Sequence, residues 1–440
     1  MSINRIFRAG PGGRVTGSIQ VPGDKSVSHR SIMLGAIAEG RTTVEGFLEG
    51  EDNLATLKAF RAMGVHITDP VEGKFAIDGV GLHGLKAPAH ALDMGNSGTA
   101  MRLITGLLAG QAFDAELIGD ESLSKRPMER VAKPLRAMGA VIETGDGGRP
   151  PIRIRGGHAL AGIEYAIPVA SAQIKSALLL AGLYARGRTT LTEPGVSRDH
   201  SERMLRAFGC PVEQHGLTVS IEPVAALKAT HVVVPGDISS SAFFLVAATI
   251  AAGAELLLTQ VGLNPTRTGV IDILKLMGAD IRLENPRTLG AEPVADIRVR
   301  SAKLKGIDIP EHLVPLAIDE FPVLFVAAAC AEGTTRLRGA EELRVKETDR
   351  IQVMADGLTA LGIENRVLPD GIDIAGGTLR GGVVDSRGDH RIAMSFAVAA
   401  LRAAGEIEIH DCLNVATSFP TFVQLAQRVG MTLAVEDKET

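Results

Sequence analysis

The chain has 440 residues, a formal net charge of −5 and a pI near 6.2, and carries no basic tail or stripe, which excludes the usual electrostatic footprint of a nucleic-acid binder. Apolar residues make up 45% but aromatic ones only 3%, so Ala, Val, Leu and Ile must build the core of a chain long enough for two or more domains. Three cysteines, Cys210, Cys330 and Cys412, lie too far apart for a metal-binding spacing or a disulfide framework, and Cys330 within FVAAACA reads as a small core residue.

In chain order, VPGDKSVSHRSIMLGAIAEG (Val21 to Gly40) opens with Asp and Ser, good N-caps, and reads as a helix running to Gly40. The strand-like RTTVEGF follows, and then the amphipathic LKAFRAMGVHI, which Gly64 stops. The same sentence is written again. GNSGTAMR opens a helix to Gly110, followed by QAFDAELIG and by PLRAMGAVI with Gly139. ASAQIKS opens one to Gly187, followed by RTTLTEP and by MLRAFGCPVE with Gly209. VPGDISSSAFFLVAATIAAG (Val234 to Gly253) then repeats the first phrase 213 residues on, and AELLLTQV and LKLMGADIRL with Gly278 follow. IDEFPV leads to Gly333, TTRLRGA and LTALGIENRV with Gly362. RGDHRIAM leads to Gly405, EIEIHDC and LAQRVGMTL with Gly430. Each glycine of the second series lies 22 to 29 residues after its partner in the first. Two signatures keeping one cadence predict six units of helix, strand, helix, strand, in two halves that each begin near Val-Pro-Gly-Asp.

The segments that open the first helix of each unit are small and polar, and helix N-termini attract anions. Several also carry cations: Lys25, Arg30, Arg102, Lys175 and Arg391. Loop clusters add Lys125 and Arg126 in SLSKRPMER, Arg198 in SRDHSER, and Lys346 and Arg350 in RVKETDR. Singly these would be solvated surface; as a set in a net-acidic protein they point to a small ligand with several negative charges, phosphate plus carboxylate. Asp319 in AIDEFP and Glu347 in RVKETDR are candidates for acid–base work, against ordinary salt bridging. GVGLHG (Gly79 to Gly84) matches a dinucleotide fingerprint, but Pro88 spoils the helix that should follow, so it reads as a turn. His29, His200 and His390 fit no zinc spacing and suit capping or support of neighbouring groups. No G-x-S-x-G elbow occurs. The start MSINRIFRAGPGG has no apolar stretch of a secretory signal, and the longest charge-free apolar run, residues 242–254, falls short of the roughly 18 residues of a membrane span. A soluble cytoplasmic protein with no membrane partner is the expectation.

Together PGDKSVSHR, GNSGTAMR, SLSKRPMERV, ASAQIKSALLLAGL, RDHSERML, DEFPVLFVAA, RVKETDR and DHRIAMSF resemble the motifs of the 5-enolpyruvylshikimate-3-phosphate synthase family (3-phosphoshikimate 1-carboxyvinyltransferase), in the family's order and from about Val21 to Val429. SAQIKS with RDH is similar to its class II branch. The resemblance implies an α/β (α+β) fold: a two-domain inside-out α/β barrel of six βαβαββ repeats, three per domain. It implies a discontinuous domain of residues 1–20 plus 240–440, an inserted domain of residues 21–239, and an active site in the cleft between them. It further implies transfer of the enolpyruvyl group of phosphoenolpyruvate to the 5-hydroxyl of shikimate 3-phosphate, by addition–elimination through a tetrahedral ketal, with no metal and no organic cofactor.

Carried over by motif, Lys25 would touch both substrates. Ser26 and Arg30 would hold shikimate 3-phosphate, Arg30 by a fork to its carboxylate, and Ser171, Ala172, Gln173 and Arg198 its phosphate end and ring. Asn96, Gly98, Arg126, Arg350 and Arg391 would cradle phosphoenolpyruvate, with Gln173 between the two ligands. Asp319 would accept the 5-hydroxyl proton with Lys346 beside it, and Glu347 would be the acid toward carbon. The chain departs from the family near its final Phe-Pro: VATSFP has Ala416 and Thr417 where many members carry a Lys. An intact Gly98 implies inhibition by glyphosate in competition with phosphoenolpyruvate, and two internally repeated halves favour a monomer. Two rivals stand beside this reading. One is an enolpyruvyl transferase acting on UDP-N-acetylglucosamine, whose usual loop Cys is absent from GDESLSKRPM; the other is a non-catalytic anion-binding repeat protein, which would need neither Asp319 nor Glu347.

Overall fold

The structure, a computed structural model, describes residues 3–439. The chain forms two compact units: one of residues 3–22, 235–288 and 292–439, the other of residues 23–234 with 289–291. The two copies of Val-Pro-Gly-Asp lie where the chain passes from the first unit to the second and back.

The 23–234 unit contains helices α1 (Lys25–Ile37), α2 (Glu51–Ala62), α3 (Gly98–Leu108), α4 (Glu129–Ala137), α5 (Ala172–Gly182) and α6 (His200–Ala207). Its second repeat shows the plan. Strand Leu92–Asp93 leads through α3 to the parallel strand Ala115–Ile118, then through α4 to the hairpin Val141–Gly145/Arg149–Arg155, whose second arm pairs antiparallel with Ala115–Ile118. The third repeat does the same with Glu164–Ala166, Thr189–Thr192, Val212–His215 and Thr218–Ile221. In the first, the entering parallel strands come from the end of the unit: Leu227–Lys228 and His231–Val233 pair with Ala38–Glu45.

The discontinuous unit contains α7 (Ile238–Ile250), α8 (Gly269–Leu276), α9 (Phe321–Ala329), α10 (Arg350–Ala360), α11 (His390–Ala399), α12 (Val415–Ser418) and α13 (Phe422–Arg428). Its sheets follow the same plan, built around Glu255–Gly262, Thr334–Leu337 and Ile407–His410. Strand Thr16–Ile19 is the parallel neighbour of Glu255–Gly262, and Ile3–Gly13 lies between Ile407–His410 and Met431–Glu439. In the middle repeat the entering strand shrinks to two bridges, Lys305 with Glu332 and Asp308 with Arg336. The six βαβαββ repeats, three to a unit, are therefore present.

The layering is inside-out. Every residue of α7 and of α9 is buried, as expected for helices apolar on all sides (ISSSAFFLVAATI, FPVLFVAAA). Sheets lie outside them, and strands such as Arg149–Arg155 alternate, with Ile152 and Ile154 inward and Arg153 and Arg155 outward. Small residues let the inner helices approach: a Cβ on Gly106 of α3 would meet the Ala177 carbonyl oxygen of α5 at 2.1 Å.

All six glycines of the second series, Gly64, Gly139, Gly209, Gly278, Gly362 and Gly430, sit one residue past a helix C-cap with φ between +84° and +103°. Five of the ends show both bonds of the Schellman motif; at α6 the amide of Gly209 donates to Arg206 O and that of Cys210 to Leu205 O. The first series behaves differently. Helices α1, α3, α5, α7, α9 and α11 stop two to six residues before Gly40, Gly110, Gly187, Gly253, Gly333 and Gly405, and Gly110 and Gly405 do not take positive φ. At α1 and α7 the C-cap residues Ala38 and Ala251 are already extended, so the chain leaves the helix without needing a glycine there. Gly79 to Gly84 runs from the end of strand Phe75–Val80 into a turn, and no helix follows before α3. No helix among the described residues is long and apolar enough to cross a membrane.

Candidate active site

In the 23–234 unit most candidate residues lie at the beginnings of α1, α3 and α5, with Arg126 in the connection before α4 and Arg198 two residues before α6. Helices α1, α3 and α5 are each capped by the polar residue before them: Asp24 accepts from the amide of Val27, Ser97 from Ala100 and Ser171 from Ile174. Lys25, Ser26, Asn96, Arg126, Ser171, Ala172, Gln173 and Arg198 are half-buried, while Gly98 is buried. Lys25 Nζ pairs with Asp52 Oδ2 of α2. Arg126 donates to Asn96 Oδ1 at 2.7 Å, and Asn96 in turn donates to Asp120 Oδ2 at 2.7 Å. Gln173 is fixed from both ends of its amide: Arg102 Nη1 donates to its Oε1 at 2.6 Å, and its Nε2 donates to Thr99 Oγ1 at 2.9 Å. Gly98 lies against the same guanidinium groups, and a Cβ there would come within 3.1 Å of Arg102 and 3.3 Å of Arg126. Arg102 and Thr99 thus stand beside Asn96, Gly98, Arg126 and Gln173. The cation at the helix start was the sequence signal for Arg102; nothing in the pattern marks Thr99.

One turn into the helices, polar side chains are enclosed. Arg30 is 4% exposed and donates to Ser201 Oγ at 2.7 Å, Ser176 Oγ at 2.8 Å and the Ser26 carbonyl at 3.0 Å. His29 is buried between Thr56 Oγ1 (2.8 Å) and Ser97 Oγ (3.4 Å). Burial, reinforced by Lys25 and Arg30, holds its pKa well below the usual imidazole value, so it joins α1, α2 and α3 as a neutral hydrogen-bonding group. Lys175 departs from the expectation that helix-start cations serve the ligand. It is 2% exposed and lies between Glu193 Oε2 (2.7 Å) and Glu202 Oε1 (2.8 Å). Burial alone would lower its pKa, but Glu202 and Glu193 more than compensate and raise it.

In the discontinuous unit Asp319, Lys346, Glu347, Arg350 and Arg391 converge where α9, α10 and α11 begin. Arg350, the first residue of α10, is 1% exposed and bonds three carboxylates: Asp389 at 2.8 Å, Glu347 at 2.6 Å and Asp319 at 3.4 Å. Burial works against its charge, yet Asp389, then Glu347 and Asp319, raise its pKa above the ordinary guanidinium value. Lys346 Nζ lies 3.6 Å from Asp319 Oδ1. Arg391 Nη1 donates to the Asp319 carbonyl at 3.0 Å and lies 3.9 Å from Glu320. Asp389 caps α11 through the amide of Arg391 and is wholly buried, so one carboxylate starts a helix and seats Arg350. Asp389 is legible in the sequence only as a cap in RGDHRIAM. Thr417 is buried in α12 with its hydroxyl on the Asn414 carbonyl.

This chain of six βαβαββ repeats has the fold of the enolpyruvyl transferase NikO from Streptomyces tendae, whose structure superposes with a TM-score of 0.81 over 99% of this chain and all of that one at 19% identity. The particular family is set by closer relatives. The sequence model of EPSP synthase (3-phosphoshikimate 1-carboxyvinyltransferase) matches residues 10–425, and the chain belongs to that family. It is 65% identical to the 3-phosphoshikimate 1-carboxyvinyltransferase of Methylococcus capsulatus over 98% of both chains, and 64% identical to that of Alkalilimnicola ehrlichii over 98% of this chain and 97% of the relative. The EPSP synthase structure from Acinetobacter baumannii superposes with a TM-score of 0.89 at 59% identity, covering 98% of this chain and all of that one.

Proposed function

We infer that the chain is an enolpyruvyl transferase that joins phosphoenolpyruvate to the 5-hydroxyl of shikimate 3-phosphate and releases phosphate. The hydroxyl oxygen bonds to C2 of phosphoenolpyruvate while C3 takes a proton, giving the tetrahedral ketal. The C–O bond to phosphate then breaks and the methyl group returns a proton, which restores the double bond. Asp319 accepts the hydroxyl proton, with Lys346 and Arg350 flanking the carboxylate, and Glu347 supplies and recovers the proton at carbon. Lys25, Asn96, Gly98, Arg126, Gln173, Arg350 and Arg391 hold phosphoenolpyruvate. Lys25, Ser26, Arg30, Ser171, Ala172, Gln173, Arg198, Asp319 and Lys346 hold shikimate 3-phosphate. Bringing two polyanions to reacting distance requires such fixed cations and donors, because they screen the mutual repulsion without reorganising during the reaction. Glyphosate competes for the phosphoenolpyruvate side, and the enzyme works as a cytoplasmic monomer.

The observation that supports this reading best is the meeting of two carboxylates suited to proton transfer with a buried, permanently charged Arg350, at 3.4 Å for Asp319 and 2.6 Å for Glu347. The test is phosphate release from phosphoenolpyruvate. Release should require shikimate 3-phosphate, with UDP-N-acetylglucosamine inactive as acceptor. Asp319→Ala should lower kcat by about 10²- to 10⁴-fold while leaving shikimate 3-phosphate binding within a few-fold, the signature of a lost general base. Release with UDP-N-acetylglucosamine alone, or undiminished turnover in the variant, would refute the assignment.

A further inference from the structure

The connection between strand Thr189–Thr192 and helix α6 carries Arg198, yet the charge that organises it comes from another helix. Lys175 reaches from α5 to Glu193, the first residue past the strand, and to Glu202, in the first turn of α6. These two carboxylates bracket residues 194–201. A third tie lies inside the bracket: Ser197, next to Arg198, donates its hydroxyl to Glu193 Oε1. The neighbouring residue of α5 makes a second tie through hydroxyls, since Ser176 Oγ meets Ser201 Oγ at 2.7 Å and both accept from the Arg30 guanidinium. The exposures of Lys175, Glu193 and Glu202 are 2%, 7% and 0%, so the triad is buried, and the ammonium is taken up by the two carboxylates.

A sealed lysine with two carboxylates is a costly way to hold a loop. Breaking a buried ion pair from one side is strongly destabilising, while a neutral replacement of the whole group is often tolerated. Such a group is expected where geometry matters more than stability. Lys175 and Ser176 lie one residue beyond the Ser171–Gln173 segment at the start of α5, so the triad and the serine pair lock the Arg198 segment to that helix start.

We propose that Lys175 is a positioning residue for shikimate 3-phosphate, clamping the Arg198 segment through Glu193 and Glu202 without touching substrate. The proposal rests on the preceding assignment of Ser171, Ala172, Gln173 and Arg198 to that substrate. It predicts a selective defect. The neutral, near-isosteric triple variant Lys175→Met/Glu193→Gln/Glu202→Gln leaves no unpaired buried charge from the triad. Its KM for shikimate 3-phosphate should rise about tenfold, the scale of a small misplacement of a binding group, with KM for phosphoenolpyruvate and kcat at saturation nearly unchanged. Adding Arg198→Ala should cost the triple variant far less than it costs the wild type, because the clamp acts through Arg198. Should the triple variant not fold, Ser197→Ala carries the same test: a selective rise in KM for shikimate 3-phosphate supports the clamp and an unchanged value overturns it. For a folded triple variant, an unchanged KM for shikimate 3-phosphate, an equal rise in both KM values, or additivity with Arg198→Ala overturns it. Wild-type enzyme assayed in parallel separates the two readings: no phosphate release there refutes the assigned reaction, whereas normal release with indifferent variants refutes the clamp alone.

Discussion

A Cβ on Gly98 would sit 3.1 Å from one guanidinium nitrogen of Arg102 and 3.3 Å from one of Arg126, closer than most side-chain contacts allow. Gly98→Ala must therefore push on two arginines that also hold Gln173 and Asn96. Overpacking of this kind costs about 1–3 kcal/mol. If Arg126 holds phosphoenolpyruvate and glyphosate competes for that place, as proposed above, the cost should raise the glyphosate inhibition constant about tenfold or more. Equal inhibition constants for wild type and variant would remove Gly98 from the proposed inhibitor contacts. At this scale the sequence was legible in type but not in direction. Lys25, Arg30, Arg102, Lys175 and Arg391 all read alike as cations at helix starts. In the fold, Lys25 and Arg391 stay partly open, whereas Lys175, on the fourth residue of α5, turns inward onto Glu193 and Glu202. The difference depends on carboxylates 18 and 27 residues away, which helix periodicity does not report.

At the scale of elements, the two glycine series look equivalent on paper and are not. Gly209 has φ +85° and its Cβ position is nearly open, with the side chain of Lys228 no nearer than 3.9 Å. Gly209→Ala should therefore cost only the left-handed backbone strain, about 1–2 kcal/mol. Gly405 has no positive φ, and its nearest neighbour would be an ordinary 3.5 Å contact with Gly381 Cα. Gly405→Ala should be neutral or slightly stabilising, by up to about 1 kcal/mol from the less flexible unfolded chain. Thermal unfolding of the pair checks this, with a drop of a few degrees for Gly209→Ala alone; equal shifts would mean that the cap geometry carries no energy. The second series was legible because a C′ glycine has one local cause. In the first, the helices end two to six residues before the glycine, and at α1 and α7 they run straight into extended chain at Ala38 and Ala251, so a glycine a few residues later mimics a stop signal. The sixfold cadence survived that error, since repetition constrains the order of elements even where their ends are off.

For the molecule as a whole, each unit has its own hydrophobic core. One runs from Val27 to Val234; the other joins Phe7 through Val21 to Ile238 through Leu433. The 23–234 unit also closes on itself, because His231–Val233 pairs with Thr43–Glu45 and the amide of Val234 donates to Glu45 O at 2.8 Å, tying the end of the segment to its first sheet. A continuous stretch of this length with a sealed core meets the conditions for independent folding. Residues 23–234 expressed alone should unfold in a single cooperative urea transition. The chain supplies its own reporter: it has no Trp and two Tyr, Tyr165 and Tyr184, both in this unit, with Tyr184 half-buried and edge-on to His83 at a ring distance of 5.6 Å. Tyrosine emission therefore follows this unit even in the full-length protein. If the unit is autonomous, the isolated fragment should show the same sigmoidal tyrosine transition that the full chain shows. A gradual change in the fragment, against a sharp one in the full chain, would mean that the segment borrows its stability from the rest of the molecule and that the two cores fold only as one.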